Sequence, residues 1–279
     1  NMVDFSPVLE NAANRSYDVF KINPGDYRGE DGMWYCGKCH TPKEQITVIL
    51  GKEWRHMIPC ECESKIRKEA EELMCHQRYR ENLLEKCFRY PEMREWNFTN
   101  DNGNNPKLKK VCENFVNDFD EFYKAGRGLL LYGKSGLGKS WFAACIANAL
   151  IEKEIACKFL DFTQIANTLI DLGNGKNEYI ETLARYPLLI LDDLDAERNT
   201  AFMDEVVFSV IDARAKIKAP LLVTTNLTRE ELKTPKTASK ARIISRLYQV
   251  CIPYEVIGED QRYSELTNDY GHFKNILGI

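Results

Sequence analysis

Residues 128–151 read GLLLYGKSGLGKSWFAACIANALI. The apolar run Leu129–Tyr132 predicts a buried strand, and a helix is predicted from Lys139. Between them, Gly133–Ser140 fits G-x-x-x-x-G-K-[ST] without a mismatch. The glycines let backbone N–H groups close around phosphate oxygens, and the helix N-terminus adds partial positive charge. Gly133, Lys134, Ser135, Gly136, Leu137, Gly138, Lys139 and Ser140 are therefore expected to hold ATP. Lys139 is expected at the β- and γ-phosphates, and the Ser140 hydroxyl on Mg²⁺.

Downstream, Leu188–Leu191 is an apolar strand that delivers two carboxylates, Asp192 and Asp193. Beside a phosphate loop, Asp192 is expected to hold Mg²⁺ and Asp193 to orient and deprotonate the attacking water. Many ATPases carry Glu where this chain has Asp193. A further strand, Leu221–Thr225, ends at Asn226, a candidate catalytic residue, although Asn at a strand end is also ordinary turn chemistry. Another strand is expected at Cys157–Leu160, and helices over Leu108–Ala125 and Ala201–Lys216. Strands that are continuous apolar runs alternating with helices predict an α/β domain, a parallel sheet between helices.

Upstream the chain changes character. Cys36-x-x-Cys39 and Cys60-x-Cys62 form two close pairs separated by 20 residues. Four thiolates suit tetrahedral Zn²⁺, and a short segment with little core gains stability from metal. His40 and the Cys75-His76 pair are rival ligands, Cys75-His76 being read as a packing position in a helix. The intervening Ile46–Leu50 is expected to be a strand. Residues 63–89 lack Gly and Pro, hold seven basic and six acidic residues, and predict one long helix ended by Pro91. Its apolar seam is Ile66, Leu73, Leu83 and Leu84. The Asn/Gly-rich stretch 97–106 reads as a linker. The expected organisation is thus 1–96, a small zinc-binding and partner-docking domain; 97–106, a linker; and 107–279, the ATPase domain.

The 279 residues are 44% hydrophobic and 29% charged, values that exclude wholesale disorder. A net charge of −4 excludes a polycation that coats nucleic acid, so any DNA contact must be a local patch. No apolar run reaches the ~20 residues of a membrane span. NMVDFSPVLE lacks the basic and apolar regions of a signal peptide, which makes a cytoplasmic location the expectation. There the 10 cysteines should be reduced, and Cys87, Cys112, Cys145, Cys157 and Cys251 read as small core residues.

The segments GLLLYGKSGLGKSWFAACIANALI, LLILDDLDAE, LLVTTNL, RIISRLYQ and EVIGEDQR, in this order, resemble the DnaC/DnaI-type bacterial helicase loaders. That group belongs to the AAA+ ATPases, alongside the IstB transposition helpers. The resemblance is strong over about residues 107–265, and the paired cysteines resemble the zinc module of DnaI-type loaders. Asp195 stands where the family usually has Gly. The resemblance implies that Asn226 positions the hydrolytic water, that Arg246 is the arginine finger and that Arg262 is the sensor 2 arginine. Arg242 is the runner-up finger. A guanidinium supplied by a neighbouring subunit makes hydrolysis depend on assembly.

The resemblance further implies slow ATP hydrolysis, binding to the hexameric replicative DNA helicase and to single-stranded DNA, and homo-oligomerisation with ATP. Phe162, Thr163 and Lys176 are candidate DNA contacts, although an aromatic at a strand end is more often core. Two other functions fit the same motifs: an IstB-like transposition helper, and a nucleotide-switched adaptor with negligible turnover.

Overall fold

The computed structural model describes residues 19–49, 51–194 and 201–258, with positions 11, 15, 16, 260, 273, 274, 276 and 277. Asp195 and Arg262 lie outside the described residues. The chain divides into two compact units, residues 1–78 and 79–279.

The first unit contains two antiparallel ribbons. β1 (Tyr27–Arg28) pairs with β2 (Trp34–Tyr35), and β3 (Glu44–Ile49) with β4 (Lys52–Met57). Helix α1 (Glu61–Cys87) follows and runs on into the second unit. Between Lys65 and Tyr79 its side chains are exposed, Cys75 and His76 among them, so that pair is not a packing position. Charge spacing supports this solvated stretch, as in the Arg67–Glu71 pair at 2.9 Å. Ile66 and Leu73 of the expected seam are exposed, whereas Leu83 and Cys87 are buried.

A buried cation ties the ribbons to the start of α1. Lys43 is 0% exposed. Its Nζ donates to Lys21 O at 2.8 Å, Asp26 Oδ2 at 2.9 Å and Glu63 Oε1 at 3.0 Å. All three ammonium protons thus have acceptors, which offsets desolvation of the charge.

In the second unit the last turns of α1 contribute Leu83 and Cys87 to the main core. The stretch expected as a linker, 97–106, lies inside this unit. Its asparagines serve local caps: Asn97 Oδ1 accepts from Thr99 N and Asn100 N, and Asn105 caps helix α2 (Pro106–Asn117). The single helix expected across 108–125 is two, α2 and α3 (Phe119–Ala125), separated at Asp118. Phe115 meets Phe119 and Phe122 across that break, with ring centroids 5.7 and 4.7 Å apart.

The sheet comprises β5 (Gly128–Tyr132), β6 (Cys157–Asp161), β7 (Leu188–Leu194), β8 (Leu221–Thr225) and β9 (Cys251–Glu255). All pairings are parallel, in the order β6-β7-β8-β5-β9. Helices α4 (Lys139–Glu152), α5 (Phe162–Leu172), α6 (Lys176–Ala184), α7 (Ala201–Ile217), α8 (Arg229–Lys233) and α9 (Ala238–Val250) connect or cover the strands. Alternate strand residues serve opposite faces. Leu129, Leu131, Leu188 and Ile190 join Phe142, Ile146 and Leu150 of α4. Leu130, Leu189, Leu191 and Val223 join Ile165, Val210, Ile211 and Leu247. Each such side chain contributes about 1.5–3 kcal/mol of burial. Phe162 is in this second cluster, so it is core and not a DNA contact.

The chain leaves β5, crosses to the far edge at β6, and returns through β7 to β8 beside β5. That reversal opens a crevice at the carboxyl ends of β5, β7 and β8, where such sheets bind ligands. At the other ends, Arg214 of α7 is 0% exposed. It donates to the carbonyls of Ala184, Tyr186, Pro187 and Pro220, clamping the entries to β7 and β8.

Candidate functional site

The phosphate loop joins β5 to α4. Gly133 has φ +136°, and a Cβ there would lie 2.5 Å from Val256 O, so only glycine fits. Gly138 caps α4 with φ +81°. A cavity of about 490 Å³ opens above the loop, lined by Ser135–Trp141, Asp193, Thr224 and Asn226 and, opposite, by Trp96 and Asn100–Asn102. This volume suits a small-molecule ligand.

Lys139 is buried and curls back onto its own loop. Its Nζ donates to Gly133 O at 2.8 Å, Lys134 O at 2.6 Å and Asn226 Oδ1 at 2.8 Å. Asn226 Nδ2 in turn donates to Asp193 Oδ1 at 2.7 Å. The three expected side chains from β5–α4, β7 and β8 thus form one hydrogen-bonded chain. Thr224 Oγ1 donates to Asp192 Oδ1 at 2.6 Å and accepts from Asp193 N at 2.8 Å. Burial pushes the Asp192 carboxyl above the usual carboxylate range, against hydrogen bonds from Thr224 and Ser140 that lower it. A carboxylate buried beside a second carboxylate and a Ser hydroxyl fits a divalent cation, whose charge would reverse that shift.

Arg246 lies elsewhere. Its guanidinium pairs with Asp212 Oδ1 at 3.1 Å and donates to Gln249 Oε1 at 2.7 Å. It does not line its own chain's cavity. Arg242 sits over the Phe208 ring at 4.4 Å. Thr163 and Lys176 are exposed, Lys176 standing 5.7 Å from the Phe202 ring centroid.

Trp96, Asn100, Asp101, Asn102, Trp141 and Thr224 are cavity residues that motif reading missed. Asn148 of α4 holds the segment carrying Trp96, donating to Met93 O at 2.8 Å and Trp96 O at 2.6 Å. No local pattern marks these positions; a Trp nine residues past the end of α1 carries no spacing signal.

In the first unit, Cys36 and Cys39 flank the turn after β2, and Cys60 and Cys62 stand at the start of α1. Their four Sγ atoms lie within 4.8 Å of one another. Cys36 Sγ is 3.7 Å and Cys60 Sγ 3.3 Å from Cys62 Sγ. Tetrahedral Zn–S bonds place sulfurs about 3.8 Å apart, so the donor set fits Zn²⁺. Lys38 N donates to Cys36 Sγ at 3.4 Å, an outer hydrogen bond of the kind that steadies a ligating thiolate. His40 is outside the cluster, with Nδ1 3.2 Å from Tyr27 Oη.

A family described as IstB-like ATP binding protein matches residues 69–265. The chain belongs to this family. Membership implies ATP binding and agrees with the AAA+ P-loop arrangement of the sheet. The replicative helicase loader DnaI of Bacillus subtilis (strain 168) is 32% identical over 163 residues, 53% of this chain and 51% of that protein. The crystal structure of DnaI shares the fold, with a TM-score of 0.52 at 23% identity, covering 63% of this chain and 95% of that one. A putative primosome component from Streptococcus pyogenes serotype M3 is 26% identical with a TM-score of 0.52, covering 64% of this chain and 96% of that one. The chain spans about half the length of the curated DnaI and DnaC relatives it matches. Among the described residues no helix is long and apolar enough to cross a membrane.

Proposed function

We propose that this chain is an ATP-dependent loader of a replicative DNA helicase. The observation that carries the reading is the hydrogen-bonded chain Lys139–Asn226–Asp193 on the wall of the phosphate-loop cavity. On this reading, a cation for phosphate, an amide for water and a carboxylate base share one hydrogen-bonded constellation, which supports it. Lys139 and the loop N–H groups bind the phosphates. Ser140 and Asp192 hold Mg²⁺, which would neutralise phosphate charge. Asp193 takes the proton of the attacking water, and Asn226 keeps that carboxylate aimed. Arg246 of one subunit completes the site of its neighbour.

The cysteine centre supports the partner assignment. Four thiols brought together ahead of a solvated helix make a metal-stabilised module that a transposition helper does not require. We assign it to helicase docking, through Zn²⁺ held by Cys36, Cys39, Cys60 and Cys62, and assign single-stranded DNA binding to the ATPase unit. Steady-state ATP hydrolysis with and without single-stranded DNA, and co-purification with the hexameric helicase of the same cell, test the reading. Mg²⁺-dependent turnover and a stable helicase complex are expected. Tight nucleotide binding with no turnover under any of these conditions would favour an adaptor instead.

A further inference from the structure

β7 carries a bulge at its two carboxylates. Leu191 pairs with Val223 and Leu194 with Thr225, so Asp192 and Asp193 together oppose the single residue Thr224. Asp193 adopts φ +56°, the left-handed region that non-glycine residues avoid. In a regular strand, successive side chains leave on opposite faces. Here both carboxylates serve the phosphate-loop end, Asp193 bonding Asn226 at 2.7 Å and Asp192 lying where the Ser140 hydroxyl influences its carboxyl.

The Thr224 hydroxyl spans the gap that the bulge leaves in the ladder. It donates to Asp192 Oδ1 at 2.6 Å and accepts the Asp193 N–H at 2.8 Å. Thr224 is 1% exposed and follows the fully buried Leu221, Leu222 and Val223. A valine would fill the same volume, so the hydroxyl is what distinguishes the residue. Thr224 thus fixes one Asp192 oxygen, with Ser140 the other hydroxyl acting on that carboxyl.

We propose that Thr224 is a positioning residue of the nucleotide site, turning Asp192 toward Mg²⁺ and holding the bulge that presents Asp193 to Asn226. This rests on reading the cavity as an ATP·Mg²⁺ site. The test is a Mg²⁺ titration of fluorescent ADP binding to the full chain, with kcat and KM for ATP measured alongside. Thr224→Val should raise the half-saturating Mg²⁺ concentration about tenfold. It should bind nucleotide in EDTA as the wild type does, and keep a reduced kcat at saturating Mg²⁺. Thr224→Ser should restore both. If the valine variant melts well below the wild type, Thr224→Ala is the hydroxyl-free arm. A hydroxyl-free variant with the wild-type Mg²⁺ curve and kcat overturns the proposal, as does a serine variant that is equally impaired. A wild type that shows no Mg²⁺-dependent nucleotide binding overturns the ATP reading itself, and is seen before any variant is compared.

Discussion

Asn226 Nδ2 donates to Asp193 Oδ1 at 2.7 Å, which makes one unit of the amide after β8 and the carboxylate near the end of β7. The same amide accepts from Lys139 through its oxygen. The lysine expected to meet phosphate is thus hydrogen-bonded to the residue that aims the base. Lys139→Ala is therefore expected to lose nucleotide binding. Asp193→Asn and Asn226→Ala are expected to bind ATP but to lose about 10²-fold or more in kcat. An Asp193→Asn protein that hydrolyses ATP at the wild-type rate would show that the base lies elsewhere.

Arg246 is held by Asp212 at 3.1 Å within its own chain, away from its own cavity. Action on a neighbour's ATP predicts complementation. Arg246→Ala subunits mixed with Lys139→Ala subunits should hydrolyse ATP faster than either alone, because one interface type keeps both groups. Mixed assemblies that form but stay at the level of the separate variants would count against action in trans.

The cysteine centre predicts one Zn²⁺ per chain by elemental analysis of protein purified without chelators. Thiolate ligands must lose protons to bind, so lowering the pH should release metal and unfold the first unit together. Cys60→Ser with Cys62→Ser should abolish helicase binding and spare nucleotide binding, since the second unit has its own core. Zinc-free protein with intact helicase binding would contradict the assignment.

The Lys43 cluster predicts how the first unit responds to pH. Burial opposes charge on Asp26, yet hydrogen bonds from Lys43 and from the N–H groups of Asn23 and Gly37 hold its carboxyl below the usual range. Glu63 is lowered in the same way, burial opposing and Lys43 prevailing. Despite burial, Lys43 is held above the usual lysine value by Asp26 and Glu63. Depressed carboxylates contribute stability above their unfolded values, about pH 4, that is lost as pH falls through the folded values. The raised lysine contributes stability below about pH 10.4 that is lost as pH rises through its folded value. Lys43→Met should destabilise the unit by ~3 kcal/mol at neutral pH. That deficit should shrink as the pH falls below about 4, the unfolded value, and on through the lowered folded values of Asp26 and Glu63. Amide exchange across β3 and β4 measures it, and a deficit independent of pH would assign Lys43 to packing alone.

The α/β core was legible because its strands are continuous apolar runs, Leu188–Leu191 and Leu221–Val223 among them, each buried on both faces. The phosphate loop was legible because its backbone geometry demands glycine at fixed spacing. β9 escaped because an edge strand has no such run: Ile252 is exposed and Pro253 breaks the pattern. The β7 bulge escaped because it depends on register with β8, which no local pattern encodes. Residues 97–106 read as a linker because capping and turn residues are the same types, and only packing tells them apart.

A loading measurement tests ATP-dependent helicase loading most directly. The wild-type chain, the hexameric helicase and circular single-stranded DNA are incubated with ATP and Mg²⁺, and helicase retained on the circles after a salt wash is quantified. The wild type should raise retention well above helicase alone, and Lys139→Ala should not. Retention that is unchanged by the wild-type chain, or raised equally by Lys139→Ala, would contradict an ATP-dependent helicase loader.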